Sequence, residues 1–288
     1  MANKKLILTG PPNSGKTTIK RIFFEGANPI KLLEHSLKPT RGINSTVYSV
    51  FNEKLGVFDL AGQENKNWLN KDRDVFQHAK VIICIFEVKQ SLKHIVDFIL
   101  KLMEIKQQLN LIDSEIIIFL HKIDLVKPSY TYGKIKSLKS FFELKYPELA
   151  KIKMYKTSVV EDSFLQTYYI ILEVLNLVFK KDFIQISRKE FKKLSKELTI
   201  LLKSDIQVKY SKHNLASKLN MSFPQIETHL KRLSNLGFIK FFEKEPLYFQ
   251  LTKRALLFKR GIFKEKTKID LLNKSRSLQL LNAFSNLR

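Results

Sequence analysis

Through residue 180 the chain sets short apolar runs of strand length between longer stretches whose apolar residues recur at helical spacing. The strand-like runs cover 6–8, 46–51, 55–58, 81–88, 115–120 and 152–156, and helices are predicted over 18–24, 91–109, 133–145 and 164–179. The run 81–88 is apolar without alternation, as a strand buried on both faces should be. Strands alternating with helices predict an α/β domain over 1–180. Beyond it the pattern changes to short helices and one hairpin. A stripe at 191, 194, 198, 201 and 202 predicts a helix, followed by a short helix over 214–219, a turn at Asn220-Met221-Ser222, and a longer helix over 224–236 ended by Gly237. Two β-like runs, 238–242 and 247–251, are joined by Glu243-Lys244-Glu245-Pro246, and Thr252 caps a further helix.

Composition adds size, compartment and charge. At 288 residues and 44% hydrophobic the chain has material for two ordinary domains, and no apolar run reaches the ~18 residues of a membrane span. Neither end carries a signal-peptide pattern, a glycine at position 2 or a prenylation cysteine, so a soluble protein without a lipid anchor is expected. The single cysteine, Cys84, falls inside an apolar run, which excludes disulfides within one chain and fits a reducing cytoplasm. The formal charge is +24 and is concentrated after residue 180, where 24 basic residues face 9 acidic ones. Such an excess fits an anionic partner, nucleic acid or an acidic membrane surface, or else a solvated lysine-rich surface.

The chemistry lies in the loops that follow the strand runs. Gly10-Pro11-Pro12-Asn13-Ser14-Gly15-Lys16-Thr17 fits GxxxxGK[ST] between a strand and a helix, so loop N–H groups and the helix N-terminus converge on one point suited to a phosphate chain. Its phosphate-binding positions are Gly10, Asn13, Ser14, Gly15, Lys16, Thr17 and Thr18; Lys16 would reach the outer phosphates and the Thr17 hydroxyl would ligate Mg²⁺. Asp59-Leu60-Ala61-Gly62-Gln63 fits DxxGQ: Asp59 would hold Mg²⁺ through water, Gly62 would present a bare N–H to a terminal phosphate, and Gln63 would orient an attacking water. Lys16 and Gln63 are therefore the catalytic candidates. In His121-Lys122-Ile123-Asp124 the Asp124 carboxylate can accept two hydrogen bonds from guanine's imino and amino groups, which adenine does not offer, while the Lys122 stem packs on loop and base. Backbone N–H groups at Ser158 and Val159, in Thr157-Ser158-Val159, would meet the guanine carbonyl. The alternative is another P-loop nucleoside triphosphatase with a chance xKxD.

With the lone Thr40, this ordered set resembles a Ras-superfamily GTPase. The nearest likeness is to the Rag/Gtr group, carried by Arg73-Asp74-Val75-Phe76, by His121-Lys122-Ile123-Asp124-Leu125-Val126, and by Thr157-Ser158-Val159 with Glu161-Asp162-Ser163-Phe164-Leu165 after it. A second affinity is to Arf-like GTPases, whose PTxGxN segment Pro39-Thr40-Arg41-Gly42-Ile43-Asn44 is similar to. The resemblance covers residues 4–180. It implies a P-loop GTPase fold, a mostly parallel six-stranded sheet with helices on both faces, that binds GTP and GDP with Mg²⁺ and hydrolyses GTP to GDP and phosphate. It also implies that Thr40 ligates Mg²⁺ in a first switch, that the Gln63 loop is a second, and that effector, exchange and activating proteins are the partners. His121 stands where most members have asparagine, which the Rag likeness tolerates, and so joins the guanine-binding set. Pro12 and Asn13 replace glycines common in Ras-type members, and only Gln63 is a strong intrinsic catalyst, so slow unaided turnover is expected. The Rag group's usual continuation is a mixed α/β dimerisation domain; nothing after Lys180 reads that way, and the resemblance is expected to stop there.

The last third instead resembles a winged-helix domain over 191–260, joined by a linker, 181–190, and followed by a basic helical tail, 261–288. The helix 224–236 would turn Ile226, Leu230, Leu233 and Leu236 to the core and leave Gln225, Thr228, His229, Lys231 and Arg232 outward. Two readings stay open. The module docks a protein and the molecule is a signalling switch, or it binds DNA, with Gln225, Thr228 and His229 at base edges and Lys231 and Arg232 at phosphates. A seam for a homodimer or heterodimer fits the tail equally.

Overall fold

Strand β4 (Ala79–Glu87), apolar almost throughout, lies inside a six-stranded sheet ordered β2-β3-β1-β4-β5-β6, formed with β1 (Lys4–Thr9), β2 (Ile43–Val50), β3 (Glu53–Leu60), β5 (Glu115–His121) and β6 (Lys153–Lys156). All pairings are parallel except that of β2 with β3. The computed structural model describes residues 4–35, 37–50, 53–180, 191, 195–205, 208–235, 237–242, 248–253 and 255–256. It divides into two compact units, 1–180 and 181–288. The proposed linker 181–190, the loop 243–247, Leu236 and the tail 261–288 lie outside the described residues.

In the first unit, alternate residues of each central strand serve opposite faces. One face, with Ile7, Ile82, Cys84, Phe86, Ile118 and Leu120, packs against α3 (Asn65–Asn70), α4 (Leu92–Gln108) and α5 (Pro128–Lys145). The other takes α1 (Lys16–Phe23) and α6 (Glu161–Phe179), whose Phe23 and Phe164 rings meet at 5.5 Å. Parallel register brings the strand ends to one edge: Leu8 pairs with Asp59, Thr9 with Cys84, and Glu87 with His121. The motif loops leave from that edge, the usual ligand side of an open α/β sheet.

Besides helix α3, which the sequence pattern did not predict, three features differ from the sequence expectation. A short helix, α2 (Pro29–Glu34), stands in the stretch between α1 and β2, started by Asn28, whose side chain accepts the Ile30 N–H, with Pro29 at its first position. Helix α5 begins five residues earlier than predicted, at Pro128, because a proline at the first helical turn has no N–H to lose. The third is a two-residue strand, β7 (Tyr210–Ser211).

The second unit holds α7 (Ser195–Lys203), β7, α8 (Lys212–Leu219), α9 (Phe223–Asn235), β8 (Ile239–Phe242) and β9 (Tyr248–Leu251). Its sheet is antiparallel in the order β7-β9-β8. Ser211 caps α8, Asn220 closes it in the left-handed region, and α9 lays Ile226, Leu230 and Leu233 against Leu215, Leu219 and Phe249. Among the described residues no helix is long and apolar enough to cross a membrane.

Candidate functional site

Because β1 ends at Thr9 and α1 starts at Lys16, residues 10–15 must turn the chain at the sheet edge. Gly15 stands at the helix N-terminus with φ 95°, and a Cβ there would lie 2.6 Å from Cδ2 of His121. The Lys16 ammonium folds back over the loop, donating to the carbonyl oxygens of Gly10 (2.9 Å) and Pro11 (2.7 Å) and to Ser14 Oγ (3.4 Å). Burial pushes its pKa down to about 8, although the Asp59 carboxylate acts the other way.

Thr17, Thr40 and Asp59 meet beside this lysine. Thr17 Oγ1 donates to Asp59 Oδ2 at 2.6 Å and lies 2.8 Å from Thr40 Oγ1, and Thr40 Oγ1 is 3.5 Å from the same carboxylate oxygen. The other oxygen, Asp59 Oδ1, is buried without a hydrogen-bond partner. Burial raises the Asp59 pKa, against the Thr17 hydrogen bond and the Lys16 and Lys20 charges. Two hydroxyls and a carboxylate with an unsatisfied oxygen make a hard, all-oxygen donor set of the kind Mg²⁺ takes. Gly62 sits against the phosphate loop so closely that a Cβ would fall 2.5 Å from the Pro12 nitrogen and 2.7 Å from Lys16 Nζ. A cavity of about 350 Å³ opens here, lined by Asn13, Thr18, Gln63 and Lys122 among others.

The residues expected from the sequence to meet a base gather at the end of β5. His121 is buried, its Nδ1 3.0 Å from Thr157 Oγ1, and burial, reinforced by the Lys122 charge, pushes its pKa down to about 4. The ring is therefore neutral at pH 7. In the unfolded chain it titrates near its ordinary 6.5, so the unfolded state binds more protons between pH 6.5 and 4. Stability should fall as pH drops through that window, and His121→Asn should flatten this part of a pH series of urea midpoints.

Lys122 pairs with Glu87 at 2.9 Å, and the exposed Asp124 accepts a hydrogen bond from Ser158 Oγ. The expectation that the Ser158 backbone N–H faces a base is corrected, because that N–H donates to Thr167 Oγ1 at 2.9 Å.

Three contacts at this site were not foreseen. Asn65 Nδ2 donates to the Gly10 carbonyl (2.9 Å), Trp68 Nε1 to the Ala61 carbonyl (3.0 Å), and the Gly42 N–H to Glu64 Oε1 (2.8 Å). All tie the DxxGQ segment to its neighbours, and the only sequence signal for them was the proximity of Glu64 and Asn65 to that motif.

In the second unit the outward assignment of His229 is corrected. It is 12% exposed, and its Nδ1 is 3.1 Å from Glu197 Oε1 of α7; the same oxygen accepts from Arg232 at 2.9 Å. Thr228 donates to the Pro224 carbonyl, Gln225 accepts the Ser222 N–H, and Lys231 is 3.7 Å from Glu227.

A family model, the Gtr1/RagA G protein conserved region, matches residues 5–233. The match runs past residue 180, where the resemblance was expected to stop, and continues into the second unit. No curated protein matches. Among solved structures, the crystal structure of a bacterial selenocysteine-specific elongation factor, EF-Sec, aligns with 62% of this chain at 16% identity and a TM-score of 0.43; the aligned part spans 29% of that protein.

Proposed function

The chain belongs to the Gtr1/RagA G protein family, and on that premise we propose that its first unit, an α/β unit with the P-loop GTPase fold, is a switch that binds GTP and hydrolyses it to GDP and phosphate. The observation that carries this reading is the convergence of Thr17, Thr40 and Asp59, with a buried, unsatisfied carboxylate oxygen, beside Lys16 at the sheet edge. Thr17 and Thr40 would hold Mg²⁺ directly and Asp59 through water; when bound, that ion neutralises phosphate charge. Gly10, Asn13, Ser14, Gly15, Thr18 and Gly62 line the phosphate path, and Lys16 stabilises charge on the transferred group. Gln63, exposed at the cavity rim, orients water for in-line attack. His121, Lys122, Asp124, Ser158 and Val159 surround the guanine, with Ser158 contributing through its grip on Asp124.

Contacts of Thr40 and the Gln63 loop with the terminal phosphate make the surface depend on the nucleotide, which suits a cytoplasmic protein read by effector, exchange and activating proteins. The second unit, a winged helix in this reading, serves as a protein-docking module. Engagement of His229 and Arg232 with Glu197, and the acidic Glu227 beside Lys231, favour docking over DNA readout.

Single-turnover hydrolysis tests the reaction. Unaided turnover on the order of 10⁻³ s⁻¹ or slower is expected, falling about tenfold or more in Gln63→Leu. Rapid unaided hydrolysis, or a rate indifferent to Gln63, contradicts the assignment.

A further inference from the structure

Lys20 lies on α1 one turn beyond Lys16 and is 1% exposed. Its ammonium group donates to Asn44 Oδ1 (2.7 Å), the Asn44 carbonyl oxygen (3.1 Å) and Thr46 Oγ1 (3.0 Å), with the Glu25 carboxylate 3.7 Å away. An ammonium has three N–H bonds, and each has an acceptor on β2. A buried charge is a poor way to gain stability, since an apolar residue of similar size usually fills such a position at no cost or with a gain. The position on α1 between Ile19 and the Ile22–Phe23 pair is one where an apolar side chain would fit the buried face. The hydrogen bonds of Lys20 go to none of the residues assigned to phosphate, base and metal, although its charge reaches Asp59. What its three bonds do is fasten the phosphate-binding helix to the strand that begins three residues after Thr40.

The residue just before that strand is held as well. Glu64, directly after Gln63, accepts the Gly42 N–H at 2.8 Å, and the Ala61 N–H donates to the Gly42 carbonyl at 3.0 Å. With Gly42 and Asn44 both fixed, the chain back to Thr40 is two residues long and reaches at most about 7 Å. The Thr40 hydroxyl is thus delivered to within 2.8 Å of Thr17 Oγ1 by anchors that lie outside its own segment.

We propose that Lys20 is a positioning residue for the nucleotide reaction: by holding Asn44 and Thr46 it sets where Thr40 stands, and so sets the preference of the site for the triphosphate over the diphosphate. The inference rests on the nucleotide reading above and adds the residue that tunes it. In that nucleotide reading Thr40 is the member of the cluster that depends on the terminal phosphate, so loosening its anchor weakens retention of GTP and leaves GDP nearly unchanged.

The test is the dissociation rate of fluorescent GDP and of a fluorescent non-hydrolysable GTP analogue, in Mg²⁺, from wild type, Lys20→Met, Lys20→Arg and Asn44→Ala. Lys20→Met is expected to release the GTP analogue about tenfold faster, equivalent to about 1.4 kcal/mol, with GDP within about twofold. Lys20→Arg, which keeps donors for the same oxygens, should recover most of the difference. Asn44 is exposed on β2, so Asn44→Ala should fold; it should show the same selective loss at smaller size, and it carries the test if Lys20→Met does not fold. A purely structural buttress would instead shift the melting temperature and move both nucleotides together. Equal acceleration of both, or of neither, overturns the inference and leaves the nucleotide reading standing. Failure of the wild-type protein to bind either nucleotide overturns both.

Discussion

Gly10→Ala is expected to cost the first unit about 4 kcal/mol or to prevent its folding. Gly10 has φ +136°, and a Cβ built there would lie 2.1 Å from the Ile85 carbonyl oxygen, 3.1 Å from its carbon and 3.2 Å from its nitrogen. All three obstacles are backbone atoms of β4, which is paired on one side with β1 and on the other with β5, so the clash has no flexible side chain to absorb it. Strain at a positive φ adds about 1–3 kcal/mol and forced overpacking a similar amount. Gly26→Ala is the matched control. It too has positive φ, +72°, but nothing lies within 4 Å of its added Cβ, so about 1 kcal/mol from backbone strain is expected. Urea midpoints of the two variants separate the effects, and equal losses would show that the Ile85 contact yields.

Lys16→Met is expected to weaken nucleotide binding by about 100–1000-fold while leaving the fold intact. Each charge-assisted hydrogen bond to phosphate is worth about 1.5–3 kcal/mol, and Lys16 is the buried cation of the loop. Its present acceptors are the Gly10 and Pro11 carbonyl oxygens, partners that hold the amine ready and can be exchanged for phosphate oxygens. Removing a buried ammonium also removes its desolvation cost, the cause of its lowered pKa, which offsets part of what is lost at the Gly10 and Pro11 carbonyls and at Asp59, so the unliganded variant should lose less stability than it loses in nucleotide binding. Binding isotherms alongside urea melts check the two halves of this expectation. A variant that binds nucleotide normally would remove Lys16 from the phosphate site.

The strand positions of the first unit and the loops that carry its motifs were readable because their signals are local. Val81 to Val88 has no polar alternation to mistake, and the GxxxxGK[ST] spacing encodes its own turn. What escaped was decided across distance. The six residues of α2 hold too little periodicity to declare a helix, and β7 is a strand only because β9 pairs with it. Lys20 reads on its helix as one more charged residue; its burial follows from Asn44 and Thr46, more than twenty positions away. Periodicity along α9 turned His229 away from Leu230 and Leu233, but a single helix cannot foretell that Glu197 of α7 covers that side. The Ser158 N–H was likewise taken by Thr167, one helix on.

The most direct test of the central claim is displacement of fluorescent GDP from the wild-type chain by unlabelled GTP, GDP, ATP and ADP in Mg²⁺, with Lys16→Met as the reference for lost phosphate contacts. The account predicts displacement by both guanine nucleotides and at least about 100-fold weaker competition from both adenine nucleotides, since Asp124 finds no matching donor pair on adenine. Equal competition by ATP and GTP would contradict it.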